Sequence, residues 1–151
     1  MKSVFIDSDI FIRDLRYPRD VRTKTNRAFL DQMRARKSLG VTSIFNVLEV
    51  CGILSFNLSE EELLDLYADF CAHYRVNVLF PGDASGQLHY DVVAIFQVIM
   101  RKTALGDAQI AYVIDRYAAT LAGVVSWNAV HFKGRVNVPV WTPEEYLHHK
   151  S

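Results

Sequence analysis

The sequence predicts an α/β fold, a three-layer α/β/α domain around a central, mainly parallel sheet. Short apolar runs of strand type recur between longer segments of helical spacing, which implies parallel strands joined by helical crossovers. A length of 151 residues, half of them hydrophobic and 23% charged, suits one core of ordinary globular balance. A single domain over residues 1–151 follows, without internal repeat, linker or low-complexity segment.

Val4-Phe5-Ile6 is an apolar run of the buried-strand kind, ended abruptly by Asp7-Ser8-Asp9, whose side chains favour caps and turns. Asp20 to Leu39 has helical spacing with Gly40 as its stop signal, and Thr42 or Ser43 caps a helix running to about Phe56. Ser59-Glu60-Glu61-Glu62 is a capping box that opens a helix through Tyr74. Val76 to Phe80 reads as a second strand, halted by Pro81-Gly82. A helix is expected over Ala84 to Lys102, a break at Leu105-Gly106, and a further helix from Asp107 to Leu121. Gly123 to Trp127 and Val138 to Trp141 read as the last strands. Thr142-Pro143-Glu144-Glu145 is a capping box with proline at the first helical position.

Seventeen basic and seventeen acidic side chains give a formal charge of zero, so the total does not point to a polyanionic partner. The distribution is uneven. Nine basic residues stand against three acids between Arg13 and Lys37, whereas Ser59 to Tyr74 holds five acids and no Lys or Arg. Such asymmetry can steer a polyanion to one side of a neutral protein, and two solvated helix faces account for it equally well. Cys51 and Cys71 lie in apolar helical patterns without metal-ligand spacing, which suits buried thiols in a reducing compartment. Met1-Lys2-Ser3 leads to an acid by position 7 with no signal-peptide core, and no apolar run approaches the roughly 20 residues of a membrane span. A soluble, cytoplasmic protein is expected.

Ligands of open α/β sheets bind beyond the carboxyl ends of the strands, which puts Asp7 and Asn128 on one rim. Two carboxylates as close as Asp7 and Asp9 repel each other unless a cation relieves them, although one of them, Asp9 more readily than Asp7, can serve as a helix cap. Glu49 is the only charged residue between Ser38 and Ser59. Ile44, Val47, Leu48, Cys51 and Leu54 take core-facing positions around it, so its carboxylate must meet a metal or an arginine. Asp107 is an ordinary helix cap when taken alone and a third oxygen donor when taken with Asp7 and Glu49. Carboxylate sites without Cys or His suit Mg²⁺ or Mn²⁺ rather than zinc, and such ions activate water and stabilise a phosphoryl transition state. The five histidines form no metal-ligand spacing and read as surface or packing residues, with His148 and His149 as an adventitious nickel site.

These residues together resemble a PIN domain. Val4-Phe5-Ile6-Asp7-Ser8-Asp9 is similar to that family's opening strand and first acid. Thr42-Ser43 through Asn46-Val47-Leu48-Glu49-Val50 resembles its second-acid helix, Gly106-Asp107-Ala108-Gln109-Ile110-Ala111 its third-acid motif, and Val125 to Phe132 its closing segment. Val138 to Glu145 is similar to the family's final strand and turn. There are two departures: Asn128 occupies the fourth acidic position, and Asp9 stands where the family usually has Asn.

The resemblance implies a magnesium- or manganese-dependent endoribonuclease cutting single-stranded or loop RNA. It implies Asp7, Glu49, Asp107 and Asn128 as catalytic residues, and Asp7, Glu49, Asp107 and Asp9 as metal ligands. Arg13, Arg16, Arg22, Lys24 and Arg27 are expected to guide the RNA backbone. A homodimeric toxin of a VapC-type toxin–antitoxin pair, silenced by a small antitoxin, is one role that such a domain takes, and RNA processing or decay is another. Two other readings stay open. In a haloacid-dehalogenase-like phosphatase Asp7 would be the nucleophile and Asp9 the acid/base, although Ile10-Phe11 replace the expected Gly-Thr. A catalytically degenerate PIN domain would hold RNA or protein without cutting.

Overall fold

A computed structural model describes residues 1–36, 39–82 and 87–149. Strand β1 (Ser3–Ile6) leads directly into helix α1 (Ser8–Arg16), followed by α2 (Thr23–Ala35), β2 (Gly40–Ser43), α3 (Ile44–Leu54) and α4 (Glu60–Tyr74). Then come β3 (Asn77–Leu79), α5 (Val92–Ile99), α6 (Leu105–Arg116), β4 (Leu121–Val125), β5 (Val140–Trp141) and α7 (Pro143–His149). Short 3₁₀ turns, Ala118–Thr120 and Ala129–His131, flank β4.

The five strands lie in the order β3-β2-β1-β4-β5 and every pairing is parallel. The chain runs outward from β1 to β3, then returns to the other side of β1 with β4. The direction of winding therefore reverses between β1 and β4, and the crevice beyond their carboxyl ends is the place where an open sheet of this kind takes a ligand.

Alternation along β1 separates the two faces of the sheet. Val4 and Ile6 pack with Phe11, Phe29, Val47, Phe70 and Tyr146 in one core, so α1, α2, α3, α4 and α7 cover that side. Phe5 and Val41 pack with Ile110, Ile114 and Phe132 on the opposite side, under α6. Helix α5 extends that layer by packing Ile95 and Val98 against Ala108 and Ala111. The three-layer arrangement expected from the sequence is the one observed.

Several boundaries move. Gly40 does not merely stop a helix; it opens β2, which pairs with β1 and β3 and which the sequence reading left out. The long helix expected over Ala84 to Lys102 is the shorter α5, capped by Asp91, which accepts from Ala94 N at 3.0 Å. Its expected start at Ala84, like Lys37 at the end of the basic stretch, lies outside the described residues. Helix α6 opens at Leu105, so Asp107 belongs to its first turn and is not its cap. Capping boxes at Ser59 and Thr142 form as anticipated, with Glu62 and Glu145 reaching back to the main chain. Cys51 is buried but Cys71 is exposed, contrary to the expectation for both thiols. Among the described residues no helix is long and apolar enough to cross a membrane.

Candidate functional site

The site begins where β1 ends. Asp7 is the N-cap of α1 and accepts the Ser8 N–H at 2.8 Å, so the capping role falls to Asp7 and not to Asp9. Asp7 is only 7% exposed, and two further donors, from Asn46 and Ser126, reach its carboxylate. Asn46, at the third position of α3, donates Nδ2–H to Asp7 Oδ1 at 3.1 Å and to Ser8 Oγ at 2.8 Å. Asn46 is itself fixed by a capping box, with Ser43 Oγ and Ser43 N donating to its Oδ1 at 2.5 and 3.3 Å. From the β4 side, Ser126 Oγ lies 2.7 Å from Asp7 Oδ2 and 3.1 Å from Asp9 Oδ2. A hydroxyl has one proton, so Ser126 donates to one of these carboxylates at a time.

Asp9 lies one position into the first turn of α1, where its Oδ2 also accepts the Asn128 N–H at 3.0 Å. Its Oδ1 is buried and has no hydrogen-bond partner among the described residues. Asn128 thus serves the site through its main chain. Its side chain is exposed and forms no hydrogen bond among the described residues.

Glu49 stands one helical turn beyond Asn46 on α3. Its Oε2 accepts Ser8 Oγ–H at 2.5 Å, completing a chain from Ser43 through Asn46 and Ser8 to Glu49. The sequence suggested a carboxylate sunk in an apolar helix, yet Glu49 is exposed, as is Leu48 beside it, and Val50 takes the buried position instead. Among the described residues it forms no ion pair with an arginine. Asp107 is part-buried in the first turn of α6, with His131 Nδ1 at 3.4 Å from its Oδ2.

The electrostatics tie these acids into one cluster. Burial holds the Asp7 carboxyl well above the usual carboxylate range, and the charges of Asp9 and Glu49 add to it against the bonds from Ser126 and Ser8. Burial also raises Asp9, opposed by the nearby main-chain amides of Trp127 and Asn128, by Ser126 and by the Arg13 charge. Glu49 is raised by partial desolvation of its carboxylate and by Asp107 and Asp9, with the Ser8 bond opposing. No Lys or Arg forms an ion pair with any of the four acids among the described residues.

The basic residues are placed unequally. Arg13 pairs with Asp20 at 2.7 Å, and its guanidinium lies 5.5 Å from the centre of the Trp127 ring, with Arg22 at 4.9 Å from the same ring. Trp127 in turn donates Nε1–H to Asn26 at 2.8 Å. Arg13 and Arg22 therefore reach the rim beside Asp9. Arg16 lies over Tyr17, and Lys24 and Arg27 line a shallow groove with Arg19, Asp20 and Asp31, making no bond to the acidic cluster. Sequence reasoning passed over Ser8, Ser126, Trp127 and His131 as site residues, and treated Asn46 only as part of a motif. A dipeptide such as Ser126-Trp127 carries no spacing signal, and its role depends on β4 lying beside β1.

The donor set consists only of oxygen, with Asp7, Asp9 and Glu49 raised by burial, Asp7 and Glu49 also by neighbouring acids, and with one buried oxygen, Asp9 Oδ1, that has no hydrogen-bond partner among the described residues. That chemistry fits a hard dication such as Mg²⁺ or Mn²⁺. As the side chains stand, no group of three or more His, Cys, Asp or Glu among the described residues is placed to hold one ion. The Ser8 and Ser126 hydroxyls occupy oxygens of Glu49 and Asp7 instead.

A parallel five-stranded sheet with acids gathered at the β1/β4 crevice defines a PIN-type α/β domain. Comparison with solved structures agrees on the fold. VapC20 of Mycobacterium tuberculosis, a sarcin-ricin-loop-cleaving toxin, superposes with a TM-score of 0.56 at 13% identity over 87% of this chain and 95% of that one. FitAB bound to a DNA fragment gives 0.59 at 16% over 93% and 94%, and VapBC-1 of nontypeable Haemophilus influenzae gives 0.62 at 15% over 93% and 98%. The chain shares the PIN-like fold of these proteins. No protein-family model and no curated protein sequence matches it.

Proposed function

We propose that this chain is a divalent-metal-dependent endoribonuclease acting on single-stranded or loop RNA, and that it is the toxin of a toxin–antitoxin pair. The observation that carries the reading is the convergence of Asp7, Asp9, Glu49 and Asp107, from three separate helices, at the ligand-binding crevice of this fold. The fold shared with a sarcin-ricin-loop-cleaving toxin and with VapBC-1 supports it.

Asp7, Glu49, Asp107 and Asp9 are the residues that would hold Mg²⁺ or Mn²⁺. When bound there, such an ion supplies charge neutralisation on the phosphoryl group and makes water more acidic. The chain does the rest. Asn46, Ser8 N and Ser126 hold the Asp7 carboxylate in one orientation. Glu49 faces solvent, and its oxygen not bonded to Ser8 is open to accept a proton from the attacking water. Asn128 positions Asp9 through its amide N–H, and exposed Arg22, beside Trp127, offers a cation to the RNA backbone.

Aspartyl-phosphate chemistry is the weaker reading. Asp7 is only 7% exposed, which leaves little of its carboxylate open to in-line attack on phosphorus, and Ile10-Phe11 stand where that chemistry expects Gly-Thr. A protein partner is supported by the apolar stripe on α5, where Val92, Phe96 and Met100 recur at helical spacing and are 73%, 57% and 64% exposed.

The test is to incubate the purified chain with a pool of structured RNAs in Mn²⁺ or in EDTA and to map the new ends. Cleavage is expected in Mn²⁺ alone and is lost in an Asp7→Asn, Asp107→Asn double variant. Wild-type-like cutting by that variant refutes the assignment. Intact RNA binding with no metal uptake by calorimetry would select a degenerate binding module.

A further inference from the structure

We propose that the cleft at the N-terminal end of α6 is a phosphate-binding subsite, taking an RNA phosphodiester that flanks the linkage to be cut. This rests on the nuclease reading above. The cleft, of about 200 Å³, is lined by Lys102, Thr103, Ala104, Asp107, His131 and Arg135. Helix α6 is 12 residues long and its N-cap is Ala104, which offers no side chain to the first-turn amides. The N–H groups of Leu105, Gly106 and Asp107 have no intrahelical acceptor, and the helix dipole is positive at this end.

A second observation, independent of the helix end, also calls for an acceptor. Thr103 is 8% exposed, lines the cleft, and its Oγ1 has no hydrogen-bond partner among the described residues. Buried hydroxyls are ordinarily satisfied, and an anion's oxygen would satisfy this one.

The cations fit the same ligand. Arg135 is half-buried and held by three main-chain carbonyls: its Nε donates to Arg101 O at 3.4 Å, and its Nη1 to Val130 O at 3.1 Å and His131 O at 3.2 Å. Its Nη2 donors are not engaged, and neither Arg135 nor Lys102 forms an ion pair among the described residues. A pre-oriented guanidinium without a carboxylate is the form in which arginine meets phosphate. Asp107, the one acid of the cleft, is paired with His131 and belongs to the acidic cluster as well. That shared wall puts the subsite next to the proposed cutting site, which favours a neighbouring linkage of one strand over a free phosphate.

A short 2′-O-methyl oligoribonucleotide whose linkages are neutralised one at a time as methylphosphonates tests this, with binding followed by fluorescence anisotropy in EDTA so that nothing is cut. In the wild type, one neutral linkage should weaken binding by about tenfold, the scale of a single strong phosphate contact. In Lys102→Ala and in Thr103→Val that linkage-specific loss should shrink to about twofold or less, and the salt slope should fall by about one unit in Lys102→Ala. Lys102→Arg should restore both. Equal linkage profiles in wild type and variants overturn the subsite, and RNA cleavage in Mn²⁺ would still leave the nuclease reading standing. Absence of cleavage together with the linkage-specific coupling would sink the nuclease reading and leave an RNA-phosphate site. Saturable binding of inorganic phosphate without any linkage effect would reassign the cleft to free phosphate and overturn the RNA assignment.

Discussion

Asn46→Ala is the substitution that most directly tests how the acidic crevice is held together. Asn46 is wholly buried and has two roles: its amide nitrogen donates to Asp7 Oδ1 and Ser8 Oγ, and its amide oxygen completes the cap of α3 with Ser43. The bond to an ionised carboxylate contributes about 1.5–3 kcal/mol and the one to the serine hydroxyl about 0.5–1.5 kcal/mol. The Asn46 half of the capping box adds about 0.5–1 kcal/mol. Allowing for non-additivity, the loss should be about 3–4 kcal/mol, a large part of the 5–15 kcal/mol that keeps a domain folded. Urea denaturation in EDTA reads it as a lower midpoint at unchanged slope. Asn46→Asp should do worse at about pH 8 than at about pH 5, because a second buried carboxylate against Asp7 must ionise as pH rises. A loss below about 1 kcal/mol for Asn46→Ala would refute the claim that this side chain organises the site.

Three further outcomes follow from the same geometry. The folded-state pKa of Asp7 is raised above its unfolded value near 3.9, so the stability it contributes is fully present below about that pH and is lost as pH rises through the folded value. Asp7→Asn should therefore melt higher than wild type in EDTA at about pH 8, with the gap closing towards pH 4, and a variant that melts lower at pH 8 contradicts the burial and repulsion assigned to this group. Mn²⁺ at about a hundredfold its dissociation constant should add about 2.7 kcal/mol of stability to the wild type, visible as a higher melting temperature, and nothing to the Asp7→Asn, Asp107→Asn variant. Gly123→Ala should lower stability by about 1–3 kcal/mol or more, because a Cβ there would lie 2.6 Å from Pro139 O of the chain leading into β5; a neutral urea midpoint would refute that packing.

What the sequence made legible was whatever depends on near neighbours. Ser59 to Glu62 and Thr142 to Glu145 announce their helices because a capping box is complete within four residues. Asp7, at the end of a strand, and Glu49, alone in an apolar helix, were found for the same reason, since each is locally anomalous, whereas Asp107 looked like an ordinary cap until set beside them. By contrast, β2 is four residues between two helices, and Gly40-Val41-Thr42-Ser43 looks like a stop and a cap until β1 and β3 lie on either side of it. The partners of Asp7 were equally hidden, since Asn46 and Ser126 are 39 and 119 residues away along the chain. Burial was misjudged at Glu49 and Leu48 because apolar neighbours in a helix do not say which of its faces is covered. Here α4 and the sheet cover Val47, Val50 and Cys51, and the remaining arc opens onto the crevice.

The departures from the PIN pattern at Asp9 and Asn128 bear on one another through a single bond. A carboxylate at position 128 would stand at the rim beside Asp9, and the two would repel across the Ser126 hydroxyl that now bridges Asp7 and Asp9. The main-chain amide of residue 128 caps Asp9 Oδ2, and with Asn at 128 one negative charge is carried on α1 and not on the loop after β4. The crevice keeps four carboxylates in either arrangement. Its negative charge is moved towards Arg13, whose field already opposes the raised pKa of Asp9. Loss of the fourth acid by itself is therefore no argument for a degenerate site, and the acid to remove in asking whether that charge matters is Asp9.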